Sequence, residues 1–110
     1  MTKRGDVLLM IAPRELGKPR PAIVIQTDAL GKDTSTILIC PLTSDLTEKL
    51  PIRPLIEPAA ENGLRSRSQG MTDKLSAIRR DRIRATIGTL DAATIEAVDR
   101  ALMVVLGLAR

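Results

Sequence analysis

Arg20 stands between Pro19 and Pro21 in the run GKPRPAIVIQ, residues 17–26. Each proline fixes its own φ and pushes the residue before it out of the α region. The guanidinium is therefore mounted on a stiff base at the start of an apolar strand. A planar fork of donors held this way suits a phosphate better than a mobile lysine does. Further along, residues 64–84 hold Arg65, Arg67, Lys74, Arg79, Arg80, Arg82 and Arg84 against Asp73 and Asp81. Such an excess reads as a track for a polyanionic backbone, the plainer alternative being a solvated face. Thr43 and Ser44 follow the run TILICPL and are, taken alone, ordinary turn formers. Glu15 and Asp73, taken alone, are equally well explained as surface charges, with Asp73 pairing with Lys74 or capping a turn.

Composition narrows the chemistry. The 110 residues include no histidine, so acid–base work falls to carboxylates, Lys, Arg or the single Cys40. There is no Phe, Tyr or Trp either, so Ile, Leu, Val, Met and Ala must fill the core. Stacking of splayed bases on aromatic rings is excluded for the same reason. A lone cysteine forms no intrachain disulfide and fits a reducing compartment, and its place at the end of TILIC marks it as a small core residue. One Cys without His makes a zinc site improbable, and neither a metal nor another cofactor is expected. The net charge of +4 and a pI of about 9.8 favour an anionic partner, of which nucleic acid is the commonest. The apolar run 7–12 is too short for a membrane span or a signal peptide, so a cytoplasmic protein is expected.

The elements that must position these groups read as short strands followed by one helix. Residues 1–110 are expected to form a single domain. VLLMIA (7–12), AIVIQT (22–27) and TILICPLT (36–43) are rich in β-branched and apolar residues, with Pro13, Gly17, Gly31 and Asp33 at the breaks. PIRPLIE (51–57) alternates, but its prolines demote it to a sheet edge. A turn over 59–63 ends in Asn62-Gly63, a further strand is predicted over 69–78, and a short one over 85–90. From the N-cap residue Asp91 the period changes: Ile95, Val98, Leu102 and Val105 form one helical stripe, with Ala101 and Leu106 alongside and Gly107 as the stop. A mostly β (α+β) architecture follows, a small curved barrel closed by a C-terminal helix.

In this order the segments resemble the MazF/PemK family of toxins, the ribonuclease half of bacterial toxin–antitoxin pairs. The resemblance is carried by GDVLL at residues 5–9, ELGKPRPAIVI with Glu15 five positions before Arg20, and CPLTS (40–44). It continues through NGLRSRSQGMTDKLSAI (62–78) and IGTLDAATIEAVDRAL (87–102). It implies an SH3-like barrel that forms a homodimer and cleaves single-stranded RNA, often messenger RNA, without a metal. The implied reaction is attack of the ribose 2′-hydroxyl on the adjacent phosphate, leaving a 2′,3′-cyclic phosphate and a 5′-hydroxyl. By the same resemblance Arg20 faces the phosphorane-like transition state, Thr43 offers it a hydroxyl, and either Glu15 or Asp73 takes the 2′-hydroxyl proton. Substrate contacts fall to Lys18, Ser44, Arg65, Arg67, Gln69, Lys74 and Arg79. An acidic, partly disordered antitoxin segment is the expected protein partner.

The chain departs from its relatives at Met71, two residues before Asp73, where several of them carry an extra Arg or His in the site. The leaving 5′-oxygen then has no evident side-chain proton donor, and Arg20 must act by polarisation or through water. Two other readings stay open on sequence alone. One is a gyrase-poisoning toxin of the CcdB type, which shares the barrel but acts through an exposed aromatic on its closing helix, a residue type absent here. The other is a catalytically weak member that serves as a binding module.

Overall fold

The computed structural model describes residues 2–11 and 18–109. Its strands are β1 (Asp6–Met10), β2 (Arg20–Val24), β3 (Thr36–Thr43), β4 (Leu55–Ile56), β5 (Ser68–Gly70), β6 (Ser76–Arg79) and β7 (Ile83–Thr89), followed by the helix α1 (Ala92–Val105). Single 3-10 turns occur at Asp28–Leu30, Thr72–Lys74 and Arg80–Arg82. The sheet order is β4-β5-β3-β2-β1-β7, antiparallel at each pairing, and β6 joins β3 beside β5.

β3 is the hub. Its first half pairs with β6 (Thr36↔Arg79 to Ile39↔Ser76) and its end pairs with β5 (Leu42↔Gly70, Thr43↔Gln69). Its other edge meets β2 at Ala22↔Pro41, Ile23↔Cys40 and Val24↔Ile39. Because side chains alternate along a strand, the sheet buries two separate apolar faces. Val7, Ile23, Cys40, Leu42, Ile56 and Leu90 point one way, against Val98 and Leu102 of α1. Leu8, Met10, Ala22, Val24, Ile37, Ile39 and Ile78 point the other way, into the hollow where the sheet curls into a half-barrel. Two register shifts along β1–β7 help to bend it. Removing the Leu8 side chain, which is wholly buried, costs about 2–5 kcal/mol by the usual transfer-plus-cavity reckoning.

The helix forms where its period placed it. Asp91 is the N-cap, its carboxylate accepting from the Thr94 amide at 2.7 Å. Gly107, at φ +74°, ends it in a Schellman arrangement: Leu108 N–H donates to Met103 O and Gly107 N–H to Val104 O. Val98 and Leu102 are buried, whereas Leu106 is not part of the packed stripe and is exposed together with Met103, Val104 and Leu108.

Two expectations need correction. The stretch 69–78 is not one strand: it is β5, the Thr72–Lys74 turn and β6, because β5 and β6 pair with different halves of β3. The proline-bearing segment 51–57 does lie at the sheet edge, but pairs only over Leu55–Ile56. Pro51 and Pro54 have no N–H to donate.

The Asn62-Gly63 turn is seated backbone to backbone on β7. The buried Asn62 side chain accepts from the Ala59 and Leu64 amides, both at 3.0 Å, and donates to Glu57 O at 2.9 Å. Thr89 N–H donates to Glu61 O at 2.8 Å. A Cβ on Gly88 would stand 2.3 Å from Glu61 O and 2.4 Å from the Asn62 carbonyl carbon. Gly88→Ala therefore forces backbone apart, a strain of about 1–3 kcal/mol. We expect its melting temperature to fall by about 4–8 °C for each kcal/mol lost, as followed by circular dichroism. Melting at the wild-type temperature would show that the turn is not seated on β7.

Candidate active site

At the open end of the curled sheet lies a cleft of about 1100 Å³. Lys18, Pro19 and Arg20 line it from the start of β2, and Thr43, Ser44 and Asp45 from the end of β3. Arg65 and Ser66 come from the segment after the Asn62-Gly63 turn, and Met10 and Ile78 form part of its apolar floor. The sheet register explains the meeting. Ala22 pairs with Pro41, and continuing that antiparallel register two residues along sets Arg20 across from Thr43. Both belong to the alternation that sends Ala22, Val24, Ile37 and Ile39 into the hollow. Arg20 and Thr43 thus continue the inner face where its apolar side chains run out.

Thr43 is half-buried, and its Oγ1 accepts the Asp45 amide at 3.0 Å. That bond fixes the rotamer and occupies a lone pair, leaving the hydroxyl proton to be donated into the cleft. Lys18, Arg20, Ser44 and Arg65 are exposed. Among the described lining residues, three cations against one carboxylate make the cleft electropositive, as an anionic ligand requires.

The other predicted residues that the structure describes do not line this cleft. Asp73 faces Arg53, whose Nε and Nη2 donate to its two carboxylate oxygens at 2.8 and 2.9 Å. The side chains of this bidentate pair are 10% and 29% exposed. The guanidinium hydrogen bonds hold the Asp73 carboxyl below its ordinary value, the wrong direction for a proton acceptor at neutral pH. Gln69 is buried, and its amide is spent on the backbone of Thr47: Oε1 accepts the amide and Nε2 donates to the carbonyl, both at 2.9 Å. Arg67 pairs with Glu57 and Arg79 with Asp81, while Lys74 is exposed on the Thr72–Lys74 turn. Arg80 donates to Thr34 O and Gly31 O, at 2.8 and 2.9 Å. Arg67, Arg79 and Arg80 of the arginine-rich stretch are thus engaged within the chain. Glu15 lies outside the described residues.

Comparison with known proteins shows which family the chain belongs to. Residues 3–106 match the family model described as PemK-like, MazF-like toxin of type II toxin–antitoxin system. The probable endoribonuclease MazF of Mycolicibacterium smegmatis (strain ATCC 700084 / mc(2)155) is 34% identical over 108 residues, covering 97% of this chain and 98% of that protein. The chain belongs to this family. Its fold agrees with solved toxins. The MazE–MazF complex of Deinococcus radiodurans (Form-II) superposes with a TM-score of 0.80 at 22% identity, over 98% of this chain and 97% of that one. The Mycobacterium tuberculosis toxin MazF-mt6 gives 0.78 at 19% identity, over 96% and 99%. As a MazF-like type II toxin the protein is an endoribonuclease, which sets the gyrase-poisoning alternative aside.

Within this MazF-like frame, sequence reasoning missed Asp45, Ser66 and Arg53. Asp45 follows the PLTS run directly, so its neighbours were a usable signal. Arg53 lies 20 residues from Asp73, and no local pattern links them. Cys40 is a core thiol as expected: burial foremost, with the Asp73 charge adding to it, pushes its pKa up to about 12. Among the described residues no group of three or more His, Cys, Asp or Glu could hold a metal ion, and no helix is long and apolar enough to cross a membrane.

The Arg53–Asp73 pair has a pH signature. A carboxyl whose folded pKa is depressed stabilises the fold fully above its unfolded value near ~3.9, and that stability is lost as pH falls through the lower folded value. Wild type should therefore out-melt Arg53→Ala by its full margin at about pH 6, with the gap narrowing as pH falls below ~4. Thermal melts across that range check this, and a pH-independent gap contradicts the pairing.

Proposed function

We propose that the cleft is a metal-independent active site that cuts single-stranded RNA, messenger RNA included, at short preferred sequences. The ribose 2′-oxygen attacks the adjacent phosphorus, the bond to the 5′-oxygen breaks, and the products carry a 2′,3′-cyclic phosphate and a 5′-hydroxyl. The observation that carries the proposal is the placement of Arg20 and Thr43 on one inward face at the mouth of one cleft. Negative charge grows on the phosphoryl oxygens as the 2′-oxygen adds. A guanidinium on a proline-stiffened strand and a hydroxyl already oriented by the Asp45 amide meet that charge without reorganising. Lys18, Arg65 and Ser44 hold the flanking backbone. The proton acceptor is Glu15, five positions before Arg20, or Asp45, the carboxylate among the described cleft residues.

The protein acts in the cytoplasm as a homodimer, restrained by a cognate antitoxin whose acidic, partly disordered segment occupies the same basic cleft. An endoribonuclease from a Mycobacterial species, solved in complex with its cognate antitoxin, and the MazE–MazF complex of Deinococcus radiodurans support this partner. The large apolar side chains exposed at the end of α1 support a second copy as their cover.

End-mapping of RNA cut by the purified protein tests the reaction, its sequence preference and its products together. Arg20→Ala should lower cleavage by about 10²–10³, the usual loss when one transition-state donor is removed, while the melting temperature stays near wild type. Unchanged cleavage by that variant removes the assigned site. The three cations among the described cleft residues, contacting phosphates, predict a log–log salt dependence of RNA binding with a slope of about −2 per protomer. A slope several-fold steeper would bring the rest of the arginine-rich stretch back as a track.

A further inference from the structure

The segment 44–54 joins the cleft-lining end of β3 to β4 at the sheet edge, and four residues between 69 and 73 hold it. Gln69 is the register partner of Thr43, and its side-chain amide clasps both backbone groups of Thr47. Gly70 N–H donates to Pro54 O at 3.0 Å. The wholly buried Thr72 hydroxyl donates to Ile52 O. Asp73 closes the set with its two bonds to Arg53. The segment has little else to order it: Leu46, Glu48, Lys49 and Pro51 are exposed, and no strand or helix lies between Thr43 and Leu55.

We infer that Asp73 is a positioning residue, the latch that, with Arg53, locks the 44–54 segment and so holds Thr43, Ser44 and Asp45 at the cleft. Its carboxylate does not take the 2′-hydroxyl proton. Both oxygens are engaged by one guanidinium, and Asp73 does not line the cleft. The latch acts on cleavage through geometry, since a misplacement of about 1 Å at a reacting group costs roughly 10²-fold in rate. The inference rests on the endoribonuclease reading for its effect on cleavage, and on contacts within the chain for the latch itself.

The two roles for Asp73 predict opposite orders of damage in cleavage of a single-stranded RNA oligonucleotide. If Asp73 is a latch, Arg53→Ala and Asp73→Ala lose similar activity, about 10²-fold, and the double variant is no worse than either single, as for two halves of one interaction. Asp73→Asn keeps an amide oxygen that accepts from Arg53, so it stays within about tenfold of wild type, with the acid limb of its pH–rate profile unmoved. If Asp73 is instead the base, Asp73→Asn falls as far as Asp73→Ala, by about 10²–10⁴, and Arg53→Ala is milder. That outcome overturns the latch. Should Arg53→Ala or Asp73→Ala fail to melt cooperatively, the nearly isosteric Asp73→Asn against wild type still decides between the two.

Hydrogen exchange on the protein without RNA supplies a readout independent of catalysis. Loss of the latch should expose the Thr47 amide, bonded to Gln69, and the Arg53 amide, bonded to Leu50 O, while β1–β2 amides keep their protection. Unchanged protection in Asp73→Ala overturns the inference. Absence of cleavage by the wild-type protein would sink the endoribonuclease reading and leave the exchange result to judge the latch.

Discussion

Were β2 to slip by one residue along β3, Ala22 and Val24 would leave the hollow and Arg20 would turn away from Thr43. The apolar packing forbids that slip. Ala22, Val24 and Ile39 are buried on one face, while Ile23 and Cys40 are buried on the other, so both faces carry the penalty. One register thus serves two ends. It closes two cores, and at its open end it sets a cation and a hydroxyl across from each other with no dedicated structure. A site derived this way inherits the stiffness of the sheet.

Charge follows a similar division between structure and site. Of the basic residues in 64–84, Arg67 and Arg79 are paired with acids on the surface and Arg80 is tied to backbone carbonyls of the segment before β3. The exposed ion pairs add little stability, but each cancels positive charge locally. Arg65 is carried to the cleft by the Asn62-Gly63 turn, and there it joins Lys18 and Arg20. The net charge of +4 therefore describes the chain less well than the local excess at one mouth of the half-barrel.

Much of the fold was legible because it depends on period. Apolar, β-branched runs between turn residues marked β1, β2 and β3, the prolines of 51–57 marked an edge, and the shift of period at Asp91 marked α1 with both its caps. The 69–78 stretch was misread because β5 and β6 share strand-like composition, and only pairing with distant halves of β3 separates them. The cleft lining was legible where a backbone device announced it, as at Pro19-Arg20-Pro21. Side-chain pairing was not legible where a polar group meets a remote partner. The partners of Gln69 and Asp73 were beyond any local pattern, since Thr47 and Arg53 lie 22 and 20 residues away. The structural neighbours leave those side-chain roles untouched, because likeness at 19–22% identity speaks for the fold alone.

A chain without histidine has few ways to move protons near neutrality. Arginine cannot be deprotonated in a protein, and the thiol of Cys40 is buried with its pKa pushed up to about 12. In the proposed reaction, electrostatic stabilisation by fixed donors is what Arg20 and Thr43 supply. Such stabilisation depends on donors being in place before charge develops, because reorientation during the reaction would consume the gain. Rigidity of the cleft wall is accordingly a chemical requirement as well as a folding one. The prolines beside Arg20 supply it on one side, and on the other the exposed 44–54 segment needs tethers. A carboxylate committed to Arg53 is worth more to this chemistry as a fixed anchor than as a weak base with its proton affinity already lowered.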